Sequence, residues 1–188
     1  SPAELEAAFE EGLHFDGSAI NGFSRVQESD VLAIPDANSF ELLPWVDPSE
    51  PTGRIFCDIH NLDGTAFAGD PRHVLRRNLK AAKEKGFTFF TAPEIEYFYF
   101  ENASNPVPLD NAGYFDLTTV DLGSSLRRRT LAMCEAMGIP VEYSFHEDNA
   151  SQHEIDLRYT ETLDMADNIM TLRLIVRKIA LDLSLIHI

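Results

Sequence analysis

VEYSFHEDNASQHEIDLRY (141–159) reads as two strand-like pieces around a polar turn, and it sets the interpretation of the rest of the chain. Glu142, His146, Glu147, His153 and Glu154 fall within 13 residues here, and the turn between Glu147 and Glu154 is expected to fold them back toward one point. A donor set rich in oxygen and poor in thiols suits Mg²⁺ or Mn²⁺ better than zinc. Upstream, FTFFTAPEIEYFYF (87–100) is aromatic and β-branched enough to be read as one strand. Glu94 and Glu96 sit two apart in it, so the pleat aims both at one face, beside Phe98 and Phe100. Carboxylates among aromatic rings are costly unless a cation meets them. The plain alternative is the end of an edge strand where both point to water. Joined with the 141–159 carboxylates, they would form a cage for two hard cations, as phosphoryl transfer requires.

On either side of these strands the pattern turns helical. LGSSLRRRTLAMCEAMG ends on Gly138, and ETLDMADNIMTLRLIVRKIA places Leu163, Ile169, Met170, Leu174 and Ile175 near helical spacing. Between the aromatic strand and the first of these helices, ENASNPVPLDNAG is a loop rich in Pro and Asn. Asp70-Pro71 is a good N-cap and first helical residue for HVLRRNLKAAKEKG, a basic amphipathic helix stopping at Gly86. The composition shifts at this point, which divides the chain into 1–70 and 71–182. Before it, AELEAAFEEG is a helical end stopped by Gly12, and short apolar runs such as VLAIPD and RIFCDIHN alternate with turns.

Charge narrows the function. The 188 residues carry a net −16, of which residues 1–70 contribute −12 from 14 acids and 2 bases. Such a segment repels phosphate backbones and anionic lipid, so neither nucleic acid nor a membrane surface is an expected partner. Cys57 and Cys134 lie 77 residues apart without a metal-type spacing, which suits a reduced, cytoplasmic protein and two core thiols. No apolar run approaches the length of a membrane span. The chain has no P-loop, no GxGxxG and no nucleophile elbow, so a nucleotide would have to be held by metal and side chains.

Taken in order, FDGSAINGF (15–23), ESDVLAIPD (28–36), PEIEYFYF (93–100), GYFDL (113–117) and VEYSFHEDNASQHEIDLRY (141–159) resemble prokaryotic type I glutamine synthetase. The resemblance runs from about Glu10 to Ala180. It implies an α+β chain: an N-terminal β-grasp domain followed by the first part of a catalytic domain built on a curved antiparallel sheet with helices. It also implies ATP-dependent ligation of ammonia to glutamate through γ-glutamyl phosphate, with two Mg²⁺ or Mn²⁺ ions and ATP as co-substrate. Glu96, Glu147 and Glu154 match ligands of the first metal, and Glu94 a ligand of the second. Tyr114 and Asp16 match ammonium-site residues, Asp16 reaching into the next subunit of a dodecamer. Glu142 matches an ATP-site position, and Tyr159 a residue near the nucleotide.

The chain departs from the family pattern in several places. Ala19 stands where the family usually has a second serine, Phe145 replaces a histidine, and Asp148-Asn149 replace an apolar pair. These changes keep open a relative that ligates a larger amine, such as a γ-glutamylpolyamine synthetase. A non-catalytic scaffold on the same fold is a further alternative, as is a two-metal hydrolase if the family likeness is set aside. The expected product is an N-terminal portion with an incomplete site, inactive alone. Its last six residues, Leu183–Ile188, are what the end sequence of a transposon-based sequencing adaptor encodes, and are expected to be non-native.

Overall fold

The computed structural model describes residues 2–20, 30–102, 104–117 and 119–187. Residues 21–29, which include parts of the FDGSAINGF and ESDVLAIPD motifs, and Ile188 of the tail lie outside them. The chain divides into two compact units, Ser1–Phe89 and Phe90–Ile188.

The first unit opens with α1 (Pro2–Glu11), followed by β1 (Leu13–Asp16), β2 (Asp30–Pro35), β3 (Glu41–Leu42), β4 (Gly53–Arg54) and β5 (Cys57–Asn61), and closes with α2 (Pro71–Glu84). Strands β1, β2 and β5 form an antiparallel sheet in that order, while β3 and β4 pair separately. Gly12 ends α1 at φ +76, and a Cβ there would lie 2.6 Å from Ile34 Cδ1. Asp70 caps α2 by accepting from Arg72 N at 2.9 Å, and its other oxygen accepts from Ile59 N at 3.0 Å, which fastens the helix to β5. Arg72 and Arg76 each donate to both Asp36 and Asp58. The helix buries none of its residues fully, and this ion-pair network ties α2 to the strands.

In the second unit, β6 (Phe90–Thr91) pairs with β10 (Thr160–Glu161). The main sheet has the order β11 (Ile186–His187), β7 (Glu94–Phe100), β9 (Gln152–Leu157), β8 (Val141–His146), with every pairing antiparallel. The aromatic stretch is thus two strands rather than one. Pro93, which has no N–H for a ladder, separates them, and its carbonyl accepts from Leu157 N.

Helices α3 (Ser124–Ala136) and α4 (Thr162–Asp182) supply the rest of the core, where Leu126, Cys134, Met165, Leu172, Ile175 and Ile179 are buried with Tyr99, Ile155 and Leu157 of the sheet. The α4 stripe differs from the expected one, because Met170 and Leu174 are exposed and Met165, Leu172, Val176 and Ile179 are inside. Those positions recur at true helical spacing, whereas Met170 falls between the turns of the stripe. Cys134 is fully buried, its thiol pushed up to about 12 by burial, and Cys57 on β5 is half-buried. No helix among the described residues is long and apolar enough to cross a membrane.

Candidate functional site

Register decides what the sheet of the second unit presents. Glu94 stands opposite Asp156 and Glu96 opposite Glu154 across β7 and β9, while Phe145 and Tyr143 of β8 stand opposite Glu154 and Asp156. Directly opposed residues share a face. One face therefore carries Glu94, Glu96, Glu154 and Asp156, and Phe98 and Phe100 stack on it with ring centroids 5.8 Å apart. Glu147 lies just past the end of β8, its N–H donating to the Gln152 carbonyl at 2.9 Å. The bulge between Val141 and Tyr143 leaves Glu142 exposed beside this face, and burial, with the charges of Glu142 and Glu147, raises the Asp156 carboxyl.

Among the described residues none of these carboxylates is ion-paired. The result is strongest at Glu154, only 5% exposed, where burial, hydrogen bonding to Asp156 and Glu147 and their like charges push the carboxyl up to about 8. Gln152 bridges the turn to the face. Its amide nitrogen donates to Glu96, while its amide oxygen accepts from Asn149 N at 3.2 Å and Nδ2 at 2.7 Å. Asn149, one of the departures from the family pattern, thus orients the group that holds Glu96.

The aromatic loop lies against the same hairpin. Phe115 (φ +57) donates its N–H to the His146 carbonyl at 3.0 Å, and Tyr114 packs 4.3 Å from Phe115 and edge-on to Phe145 at 5.8 Å. The Tyr114 phenol is raised by desolvation and by the charges of Glu147 and Glu154. Tyr159 is exposed beyond β9, edge-on to Phe90. Asp16 ends β1 in the first unit, where its carboxylate accepts from Ser18 N and Oγ, which hold it below the usual range.

His146 and His153 do not join the ligand face as expected from their proximity in sequence. They oppose each other across β8 and β9 and, one residue out of step with Glu147 and Glu154, point to the sheet's other side, both fully buried. There Asp121, His146 and His153 bring ligand atoms within 4.8 Å of one another. Arg127 already occupies this cluster, donating to Asp121 at 2.6 and 3.1 Å and to His153 Nδ1 at 2.9 Å. Burial and the neighbouring Arg127 push His153 down to about 4, which keeps it a neutral acceptor. The guanidinium supplies the positive charge that a metal would, so the cluster is an ion-pair network behind the site.

Asp156, Gln152, Asp110 and Arg127 were not singled out from the sequence. Asp156 continues the period-two pattern from Glu154 and was accessible to the rule that found Glu94 and Glu96. Asp110 and Arg127 come from a loop and a helix whose sequences carry no pairing signal.

A hard divalent cation fits the exposed face on its donor chemistry: oxygen ligands only, unbalanced negative charge and a buried carboxyl held protonated without an ion. An antiparallel sheet that carries carboxylates on one face and packs helices on the other places the second unit in the α+β class.

Residues 68–186 match the family model of the glutamine synthetase catalytic domain, and residues 1–62 that of the glutamine synthetase β-grasp domain. The chain belongs to the glutamine synthetase family. It is 50% identical over 188 residues to the glutamine synthetase of Mycobacterium tuberculosis, covering 97% of this chain and 42% of that protein. To the glutamine synthetase of Thermotoga maritima it is 40% identical over 185 residues, covering 96% and 42%. The chain therefore spans about two fifths of the length of these relatives. A structure of apo GmaS superposes with a TM-score of 0.88 at 24% identity, over 99% of this chain and 44% of that one. A Plasmodium falciparum glutamine synthetase structure gives 0.83 at 22%, over 96% and 42%. Both structures share the fold.

Proposed function

We propose that this chain supplies the metal-binding carboxylate face of a glutamate–ammonia ligase, which forms glutamine from glutamate, ammonium and ATP through γ-glutamyl phosphate. The observation that carries the reading is the cross-strand register that sets Glu94 against Asp156 and Glu96 against Glu154, with Glu147 beside them. In it, Glu96, Glu147 and Glu154 hold one Mg²⁺ or Mn²⁺ and Glu94 contributes to a second. Such ions, when bound, neutralise phosphate charge during phosphoryl transfer.

The remaining roles belong to the chain's own side chains. Tyr114 stands beside Glu147 and lines the place for an ammonium ion, whose positive charge the surrounding carboxylates favour. Asp16 is assigned to the ammonium site of a neighbouring copy in a homo-oligomer. Glu142 and Tyr159 are assigned to the nucleotide, and the cytoplasm is the expected location.

Mn²⁺ tests the placement through its paramagnetism. Added to the ¹⁵N-labelled chain, it should broaden the amide resonances of residues 94–96, 147 and 154–156 first. Broadening spread over the acidic first unit instead, with those resonances unaffected, would overturn the reading.

A further inference from the structure

Between β7 and α3 the described chain has only an isolated bridge, Phe100 to Pro108, and no helix or strand. A loop of this length needs something other than a ladder to hold it. The geometry points to Asp110 as a positioning residue that fixes the Tyr114 loop onto the hairpin carrying Glu147 and Glu154.

The Asp110 side chain is almost wholly buried, 1% exposed. Its Oδ1 accepts from His146 Nε2 at 2.9 Å and from Ser151 N at 3.1 Å, and its Oδ2 accepts from Leu122 N at 3.0 Å. The Ala112 N–H adds a longer contact at 3.4 Å. One carboxylate therefore joins the end of β8, the β8–β9 turn and the far end of the loop.

The near end is tied through the same turn. Ser151 Oγ accepts from Leu109 N at 2.8 Å and donates to the Tyr99 carbonyl at 2.7 Å. In the middle, Phe115 N donates to the His146 carbonyl, and His146 Nδ1 lies 2.7 Å from the Glu147 carbonyl oxygen. The ties at Leu109, Phe115 and Leu122 thus all pass through His146, Ser151 or Asp110.

Tyr114, next to the middle tie, owes its place against Phe145 to this hub. Removing an acceptor that several buried donors share leaves all of them unsatisfied together, so the ties should fail as a set. That Tyr114 placement matters for an ammonium ion depends on the function proposed above, whereas the placement itself does not.

The test compares the unaltered chain with Asp110→Asn, which keeps one acceptor oxygen but sets an amide N–H against Leu122 N–H. NMR should show amide exchange rising at least tenfold at Leu109, Phe115, Leu122 and Ser151, with loss of the nuclear Overhauser contact between the Tyr114 and Phe145 rings. The Tyr97 and Ile155 ladder amides should stay protected. Exchange confined to 110–112, or an unchanged ring contact, overturns the proposal.

If Asp110→Asn does not fold, Ser151→Ala provides a milder cut, since it removes only the Leu109 tie and the bond to Tyr99. Faster Leu109 exchange with a weakened Tyr114–Phe145 contact supports the hub, and an undisturbed contact overturns it. A Mn²⁺ titration of the unaltered chain judges the proposed function separately. Absence of binding there would sink the ligase reading while the hub stands or falls on the ring contact.

Discussion

Glu154 is the residue at which the site's electrostatics are most exposed to measurement. Its carboxyl sits at about 8 against an ordinary 4.5, so between these values the folded chain holds a proton that the unfolded chain has released. Its contribution to stability is fully present below about pH 4.5 and lost as pH rises through about 8. Thermal melts without divalent ions should therefore show the second unit losing stability from pH 5 to 8. Glu154→Gln should flatten that slope, and saturating Mn²⁺ should reverse it, because the cation then replaces the proton. A slope identical in the unaltered chain and in Glu154→Gln would show that Glu154 is not the titrating group. A second prediction at this scale concerns Gln152, whose amide holds Glu96. Gln152→Leu keeps the volume and removes that bond together with the two it accepts from Asn149, and should weaken Mn²⁺ binding about tenfold. Calorimetry of the two chains checks it, and equal affinity would show that the bond does not orient Glu96.

At the scale of elements, the β8–β9 hairpin works as a two-sided device. Its pleat sends Glu154 and Asp156 to the carboxylate face and His146 and His153 inward, where Arg127 of α3 meets them. The start of α3 is closely fitted to this inner side. A Cβ on Gly123 would lie 2.1 Å from His153 Cε1 and 2.4 Å from Nε2. Gly123→Ala must therefore displace His153 from Arg127, and should cost about 3 kcal/mol in urea denaturation. A loss below about 0.5 kcal/mol would mean that α3 shifts freely over the sheet.

These elements also show how far the sequence could be read. The two-residue spacing of Glu94 and Glu96 fixed their common face correctly, and the same period would have added Asp156. It would equally have removed His146 and His153 from the ligand set, since each is one step out of phase with its neighbouring glutamate. Asp70-Pro71 gave the start of α2 because capping is a local signal. Pro93 splits the aromatic strand, which β propensity alone overrode. The ties of Asp110 to His146 and Ser151 and of Arg127 to His153 were not legible, because they join positions 26 to 41 residues apart through loops that have no periodicity.

For the molecule as a whole, the two units carry different parts of the charge. The acidic first unit partly compensates its own charge by setting Arg72 and Arg76 against Asp36 and Asp58. Burial raises the Asp36 carboxyl, but the Arg72 hydrogen bond, the Asn38 N–H and both guanidinium charges outweigh it and hold the group below 3.8. Glu94, Glu96, Glu147, Glu154 and Asp156 of the second unit have no such cationic partner among the described residues. That contrast is the physical basis for assigning a divalent cation to one group of acids and not to the other. It also explains why net charge by itself, which is densest in residues 1–70, pointed to no site. The most direct measurement is isothermal titration of the purified chain with Mn²⁺ beside a Glu96→Ala, Glu147→Ala double variant of equal melting temperature. The account predicts saturable binding that the double variant loses. Binding of equal strength in both proteins would contradict it.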